Sequence, residues 1–167
     1  LQLFFRRAKL RNIPEGQFWY QISNIISMQG NITFSIVKPN SVRTGKSGPI
    51  LAMINEAGFE IVAMKMVRLT LRQAESFYEV HRGKPFFEDL VEFMTSGPVI
   101  VMILRHDNAV DEFRKLIGAT DPAKAEPGTI RKIFAVSVQM NAVHGSDSDE
   151  NALRESYFFF PDTERFL

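Results

Sequence analysis

After residue 28 the spacing of apolar positions alternates between strand and helix, with Pro and Gly between the elements. Residues 31–37 are rich in β-branched and aromatic side chains and stop at Lys38-Pro39, where proline lacks the amide hydrogen a ladder needs, so they predict a strand. Pro49 suits the first turn of a helix, Ile50, Leu51 and Ile54 recur on one face, and Gly58 offers a left-handed stop; together they predict a helix over 49–57. A second apolar run, 59–69, leads to Thr70 and Gln73, spaced as a capping box for a helix reaching Tyr78. Pro85 is expected to open another helix. The continuous run 98–104 (PVIVMIL) predicts a strand covered on both faces, and Ala109, Val110, Phe113 and Leu116 mark a helical stripe ending before Gly118. A loop with Pro122, Pro127 and Gly128 follows. Residues 133–138 are expected to form the fourth strand, 141–147 a loop, and 148–158 a last helix with Asp149 and Glu150 in its first turn.

The resulting order, βαββαβ with helical insertions, matches an α+β ferredoxin-like sandwich: a four-stranded antiparallel sheet with helices packed on it. That architecture by itself implies no activity. Residues 1–27 differ from the rest: Arg6, Arg7, Lys9 and Arg11 face the single acid Glu15, and no period holds. They are expected to be a poorly ordered extension, with the working domain spanning 28–167.

Composition narrows the classes. A chain of 167 residues fits one domain, and at that size roughly 70% of the unfolded surface is buried on folding. With 45% hydrophobic and 23% charged residues, disorder is excluded as a description of the whole. A net charge of +1 makes no overall case for nucleic acid or membrane partners, and no apolar run approaches the roughly 20 residues of a membrane span. The absence of Cys excludes a disulfide framework and a thiolate metal site, which suits a cytoplasmic setting. His81, His106 and His144 lack zinc-ligand spacing. Gly45-Lys46-Ser47 imitates the end of a phosphate-binding P-loop, but that motif needs Gly where this chain has Asn40.

The informative stretch is Asn141-Ala-Val-His144-Gly145-Ser146-Asp147-Ser148. Small and polar neighbours leave the ring of His144 accessible. An imidazole titrating near about 6.5 is largely neutral above that pH and attacks phosphorus without a separate base. An isolated His beside Gly and Ser would more often just organise a turn.

The run NAVHGSDS resembles the active-site signature of nucleoside diphosphate kinases, and the likeness extends from about residue 33 to 155. It includes Lys38-Pro39, Arg82-Gly-Lys-Pro-Phe86-Phe, Ser96-Gly-Pro98, Gly118-Ala-Thr120-Asp-Pro122 and Pro127-Gly-Thr-Ile-Arg131. Asn40, where the family often has Asp, departs from the pattern without touching a catalytic position. The short segment after Glu155 resembles the bacterial forms.

That resemblance implies an enzyme moving the γ-phosphoryl group of a nucleoside triphosphate to a diphosphate by ping-pong exchange through a phosphohistidine at His144. Such transfer depends on positioning and charge neutralisation. Lys38, Arg114 and Arg131 match the family's cationic phosphate contacts, Thr120 a hydroxyl donor, and Tyr78 a phenol beside the transferring group. Glu155 matches the carboxylate that orients the imidazole, and Ser146 the hydroxyl that assists it. Seven residues separate Ser148 from Glu155, about two helical turns, so the side chain is able to point back to the same face. Which ring nitrogen is phosphorylated stays open. Phe86 and Val138 match an apolar clamp for the base, with Leu90 nearby; Asn141 and Lys38 would meet sugar hydroxyls, consistent with both ribo- and deoxyribonucleotides. Mg2+ is expected through the nucleotide phosphates rather than a protein cage. Asp147 would either assist it through water or cap the helix that begins near Ser148. The family also implies a homo-tetramer or homo-hexamer. Two rivals have to be tested: a catalytically silent scaffold and a histidine phosphatase.

Overall fold

A computed structural model describes residues 30–167; the expectation for residues 1–27 lies outside them. The elements are β1 (Ile32–Val37), α1 (Pro39–Arg43), α2 (Ser47–Glu56), β2 (Glu60–Val67), α3 (Leu71–Phe77), α4 (Phe87–Thr95), β3 (Val99–Arg105), α5 (Ala109–Ile117), α6 (Ile130–Phe134), β4 (Val143–Gly145) and α7 (Asp149–Phe159). Short 3-10 turns at Glu79–His81 and Asp162–Glu164 complete the set among the described residues. The strands form one antiparallel sheet in the order β2-β3-β1-β4, which makes β1 and β3 central. This is the expected ferredoxin-like α+β arrangement.

Both faces of the sheet are covered, as the unbroken apolar run of β3 requires. Phe34 and Ile36 of β1, with Val101 and Ile103 of β3, meet Phe77 of α3, Val91 and Met94 of α4, and Phe160. On the other face Met102 and Leu104 meet Ile50 and Ile54 of α2 and Phe113 and Ile117 of α5. The signals at helix ends act as their chemistry dictates. Thr70 Oγ1 accepts from the Gln73 amide at 3.3 Å while Gln73 Oε1 accepts from the Thr70 amide at 2.9 Å, closing the capping box. Gly58 takes φ +87° after α2.

Several boundaries differ from the sequence expectation. Pro39 ends β1 but also opens the short α1, where its missing amide costs nothing at the first helical position. Pro85 lies two residues before α4, which starts at Phe87 with Phe86 at its cap position. The larger correction concerns the fourth strand. Residues 133–138 do not pair: Ile130–Phe134 is helical, and Ile133, Val136 and Val138 are all more than half exposed. Short apolar runs do not separate strand from helix by period alone. The free edge of β1 is taken instead by Val143–Gly145, inside the expected loop, with Ile36 opposite His144 and Ser35 opposite Gly145.

Candidate functional site

His144 is the middle residue of β4, and the sheet fixes its backbone. Ser35 Oγ donates to the His144 carbonyl at 2.9 Å, and the Ser146 amide donates to Phe34 O at 3.1 Å. The chain enters β4 through Ala142 at φ +69°, a left-handed conformation that costs an L-residue roughly 1–2 kcal/mol. The Ala142 carbonyl accepts from the Lys38 amide at 2.9 Å, so the strained turn is tied to the end of β1. Sequence gave no sign of this strain.

The imidazole of His144 lies within a collar of rings, with centroids 5.5 Å from Phe77, 6.2 Å from Phe34 and 6.3 Å from Tyr78. Its Nε2 is 3.0 Å from Oε2 of buried Glu155, which also accepts from Ser146 Oγ at 2.6 Å. Because an ionised carboxylate only accepts, the ring hydrogen belongs on Nε2 and the free lone pair on Nδ1. Glu155 reaches back along α7 as the two-turn spacing allows. Ser146 is buried behind the ring and acts on Glu155.

A cavity of about 610 Å³ opens in front of the imidazole. Its lining brings together eleven of the twelve candidates: His144, Glu155, Tyr78, Lys38, Phe86, Leu90, Arg114, Thr120, Arg131, Val138 and Asn141. Only Ser146 stands behind the wall. These side chains come from α4, α5, α6, β4, α7 and the caps and loops between, so only folding unites them.

The cations are held under tension. Lys38 is buried at the end of β1, its Nζ donating to the Gln139 carbonyl at 3.4 Å. Burial, reinforced by the positive charge of Arg131, depresses its pKa to about 7. Arg131 donates to Gly118 O at 2.8 Å and Val143 O at 3.1 Å, leaving its buried Nε without a partner among the described residues; burial and nearby Arg114 lower its pKa to about 10. An anion in the cavity would relieve this repulsion. The hydroxyl of Tyr78 is buried and has no hydrogen-bond partner among the described residues, and burial, with Glu155 nearby, keeps it protonated by pushing its pKa up. It therefore remains a hydrogen-bond donor.

At the mouth, Phe86 is 50% and Val138 56% exposed, so neither is ordinary core. Leu90, on α4, also packs against the core. Asn141 Nδ2 donates to Thr120 O at 3.4 Å, while its buried Oδ1 has no partner among the described residues. Asp147 does not cap α7: Ser148 Oγ accepts from the Asn151 amide at 3.1 Å, while Asp147 Oδ1 accepts from Asn151 Nδ2 at 2.6 Å. The shorter Ser148 side chain at the cap position reaches the amide first. The hydrogen bond from Asn151 holds the Asp147 pKa below the usual carboxylate range.

Sequence reasoning missed His81, Gln139, Asn151 and Arg154, which also line the cavity. His81 follows Tyr78 by three residues, one 3-10 turn, and that spacing was its one available signal. Burial, with His144 nearby, lowers its pKa. Arg154 approaches Glu155 Oε1 at 3.7 Å and sits next to it in sequence.

An oriented histidine facing buried cations, with an apolar slot at the mouth, defines a nucleotide phosphotransferase on a ferredoxin-like domain. The sequence model described as nucleoside diphosphate kinase matches residues 31–165. A nucleoside diphosphate kinase of Flavobacterium psychrophilum is 55% identical over 139 residues, covering 83% of this chain and 100% of its own. One from Legionella pneumophila is 54% identical over 133 residues, covering 80% and 94%. Among solved structures, the Aquifex aeolicus nucleoside diphosphate kinase superimposes with a TM-score of 0.79 at 43% identity, covering 81% of this chain and 98% of that one. A halophilic nucleoside diphosphate kinase from Halobacterium salinarum, solved with CDP, gives 0.77 at 38% identity, covering 81% and 91%. The chain belongs to the nucleoside diphosphate kinase family.

Proposed function

We propose that this chain carries the phosphoryl group on Nδ1 of His144, accepting it from a nucleoside triphosphate and passing it to a diphosphate. The observation that carries this is the Glu155 contact to Nε2, which leaves Nδ1 as the nucleophile. As the Nδ1–P bond forms, the bond from phosphorus to the bridging oxygen breaks and the diphosphate leaves; the second half runs in reverse onto a new diphosphate. The imidazolium that develops keeps its Nε2 hydrogen on Glu155, itself braced by Ser146. Lys38, Arg114 and Arg131 neutralise the phosphates, and Thr120 and Tyr78 donate to them.

Phe86 and Val138, with Leu90, grip the base through its faces. Stacking contributes roughly 1–3 kcal/mol per base and tolerates any base, so ribo- and deoxyribonucleotides of all kinds are substrates, with Asn141 and Lys38 at the sugar. Mg2+ suits this cleft, where Asp147 offers an exposed carboxylate on the cavity. Asp147 would hold one of its waters, and the ion, bound through nucleotide phosphates, supplies charge neutralisation. The working unit is residues 28–167, assembled as a homo-tetramer or homo-hexamer, in the cytoplasm, where nucleoside triphosphates are made and spent. Among the described residues no helix is long and apolar enough to cross a membrane.

Incubation with Mg2+ and γ-labelled ATP should give acid-labile, base-stable label that moves to added GDP or dCDP and is absent in His144→Ala. Nucleotide binding without label would favour a silent scaffold, and label lost only to water a phosphatase.

A further inference from the structure

The two jaws of the apolar slot belong to different parts of the chain. Phe86 precedes α4, and Val138 sits on the loop between α6 and β4. That loop is closed on itself: the Val136 amide donates to Met140 O at 2.9 Å, and the Met140 amide to Ser137 Oγ at 3.0 Å. Val138, more than half exposed, is not fixed by core packing. A hydrogen bond does cross from this loop to α4. Gln139 Nε2 donates to the Asp89 carbonyl at 2.8 Å, fifty residues away in sequence and next to Leu90. The main-chain carbonyl of the same Gln139 accepts from Lys38 Nζ.

We propose that Gln139 is a positioning residue whose side-chain amide latches the Val138 loop to α4 and sets the gap in which the nucleotide base is gripped. This rests on the base-clamp reading above. A latch formed before binding spares the base the cost of ordering the loop, so its contribution appears as affinity for nucleotides and depends on the base being present. The sugar and phosphates are held from Lys38, Arg114 and Arg131, and Lys38 reaches Gln139 through its main chain, which no side-chain substitution removes.

Gln139→Met keeps the length and neutrality of the side chain and removes the donor. Calorimetry with GDP and with ribose 5-diphosphate, which carries sugar and phosphates without a base, separates the two ends of the site. Wild-type protein should bind GDP more tightly than ribose 5-diphosphate. In Gln139→Met the GDP affinity should fall about threefold to tenfold, the range of one net hydrogen bond, with ribose 5-diphosphate binding unchanged. Equal GDP affinity in the two proteins, or equal weakening of both ligands, would overturn the latch. A wild type that gains nothing from the base would remove the clamp and the latch with it, whereas failure to bind either diphosphate would overturn the nucleotide-transfer reading itself.

Discussion

A buried ammonium is an unstable thing to build into a pocket, and Lys38 places one at the end of β1. Its pKa of about 7 lies far below the ordinary 10.5, because burial and Arg131 both disfavour the charge. Between those two values the unfolded chain holds a proton that the folded chain has lost, so the contribution of Lys38 to stability grows as pH rises and is smallest below about 7. Phosphate reverses the preference. An anion beside Lys38 restores its charge, so nucleotide binding near pH 8 takes up close to one proton. Calorimetry of GDP binding in two buffers of different ionisation enthalpy measures this, and Lys38→Arg, which stays charged, should abolish it. No uptake by the wild type would mean that Lys38 is already charged in the free protein or does not meet the phosphates. The contact between His144 and Glu155 was expected from the family resemblance, with the helical spacing from Ser148 only allowing it. Gln139 and His81 were not legible in the sequence, since what defines them is a contact across fifty residues in one case and a cavity wall in the other.

Among the elements, β4 decides whether the histidine is aimed at all. It has three residues, and Gly145 is there because α5 lies directly against it: an added Cβ would stand 2.9 Å from Phe113 Cδ1 and 3.0 Å from Ile117 Cδ1. Gly145→Ala should therefore destabilise the fold by about 1–3 kcal/mol, as overpacked cores do, and Phe113→Leu in the same chain should recover part of it. Denaturant unfolding measures both; unchanged stability in Gly145→Ala would mean that α5 is not seated on β4. The same strand was hidden in the sequence. Ile133, Val136 and Val138 look like strand residues, yet they are exposed. Val143, by contrast, shares an otherwise polar stretch with only Ala142 as a buried apolar neighbour, and it pairs to β1 from more than a hundred positions away. Strands 31–37 and 98–104 and the Thr70 cap were readable because their signals are local and dense.

At the scale of the molecule, the sheet buries both faces and leaves the work to one edge, where β4, α7, α5, the end of β1 and the loop after α6 meet around the cavity. Lys38 follows β1 while Arg114 and Arg131 lie on α5 and α6, and their convergence was expected only through the family resemblance; spacing along the chain says nothing of it. The fold supplies that convergence, along with the strain at Ala142 and the desolvation of the cations, none of which a sequence pattern encodes. The arrangement leaves His144 with one free nitrogen. Nitrogen-15 correlation NMR of the protein phosphorylated with ATP and Mg2+ identifies the bonded atom: phosphorus on Nδ1 of His144, with Nε2 still protonated toward Glu155, is the predicted result, and phosphorus on Nε2 or on His81 would contradict the account.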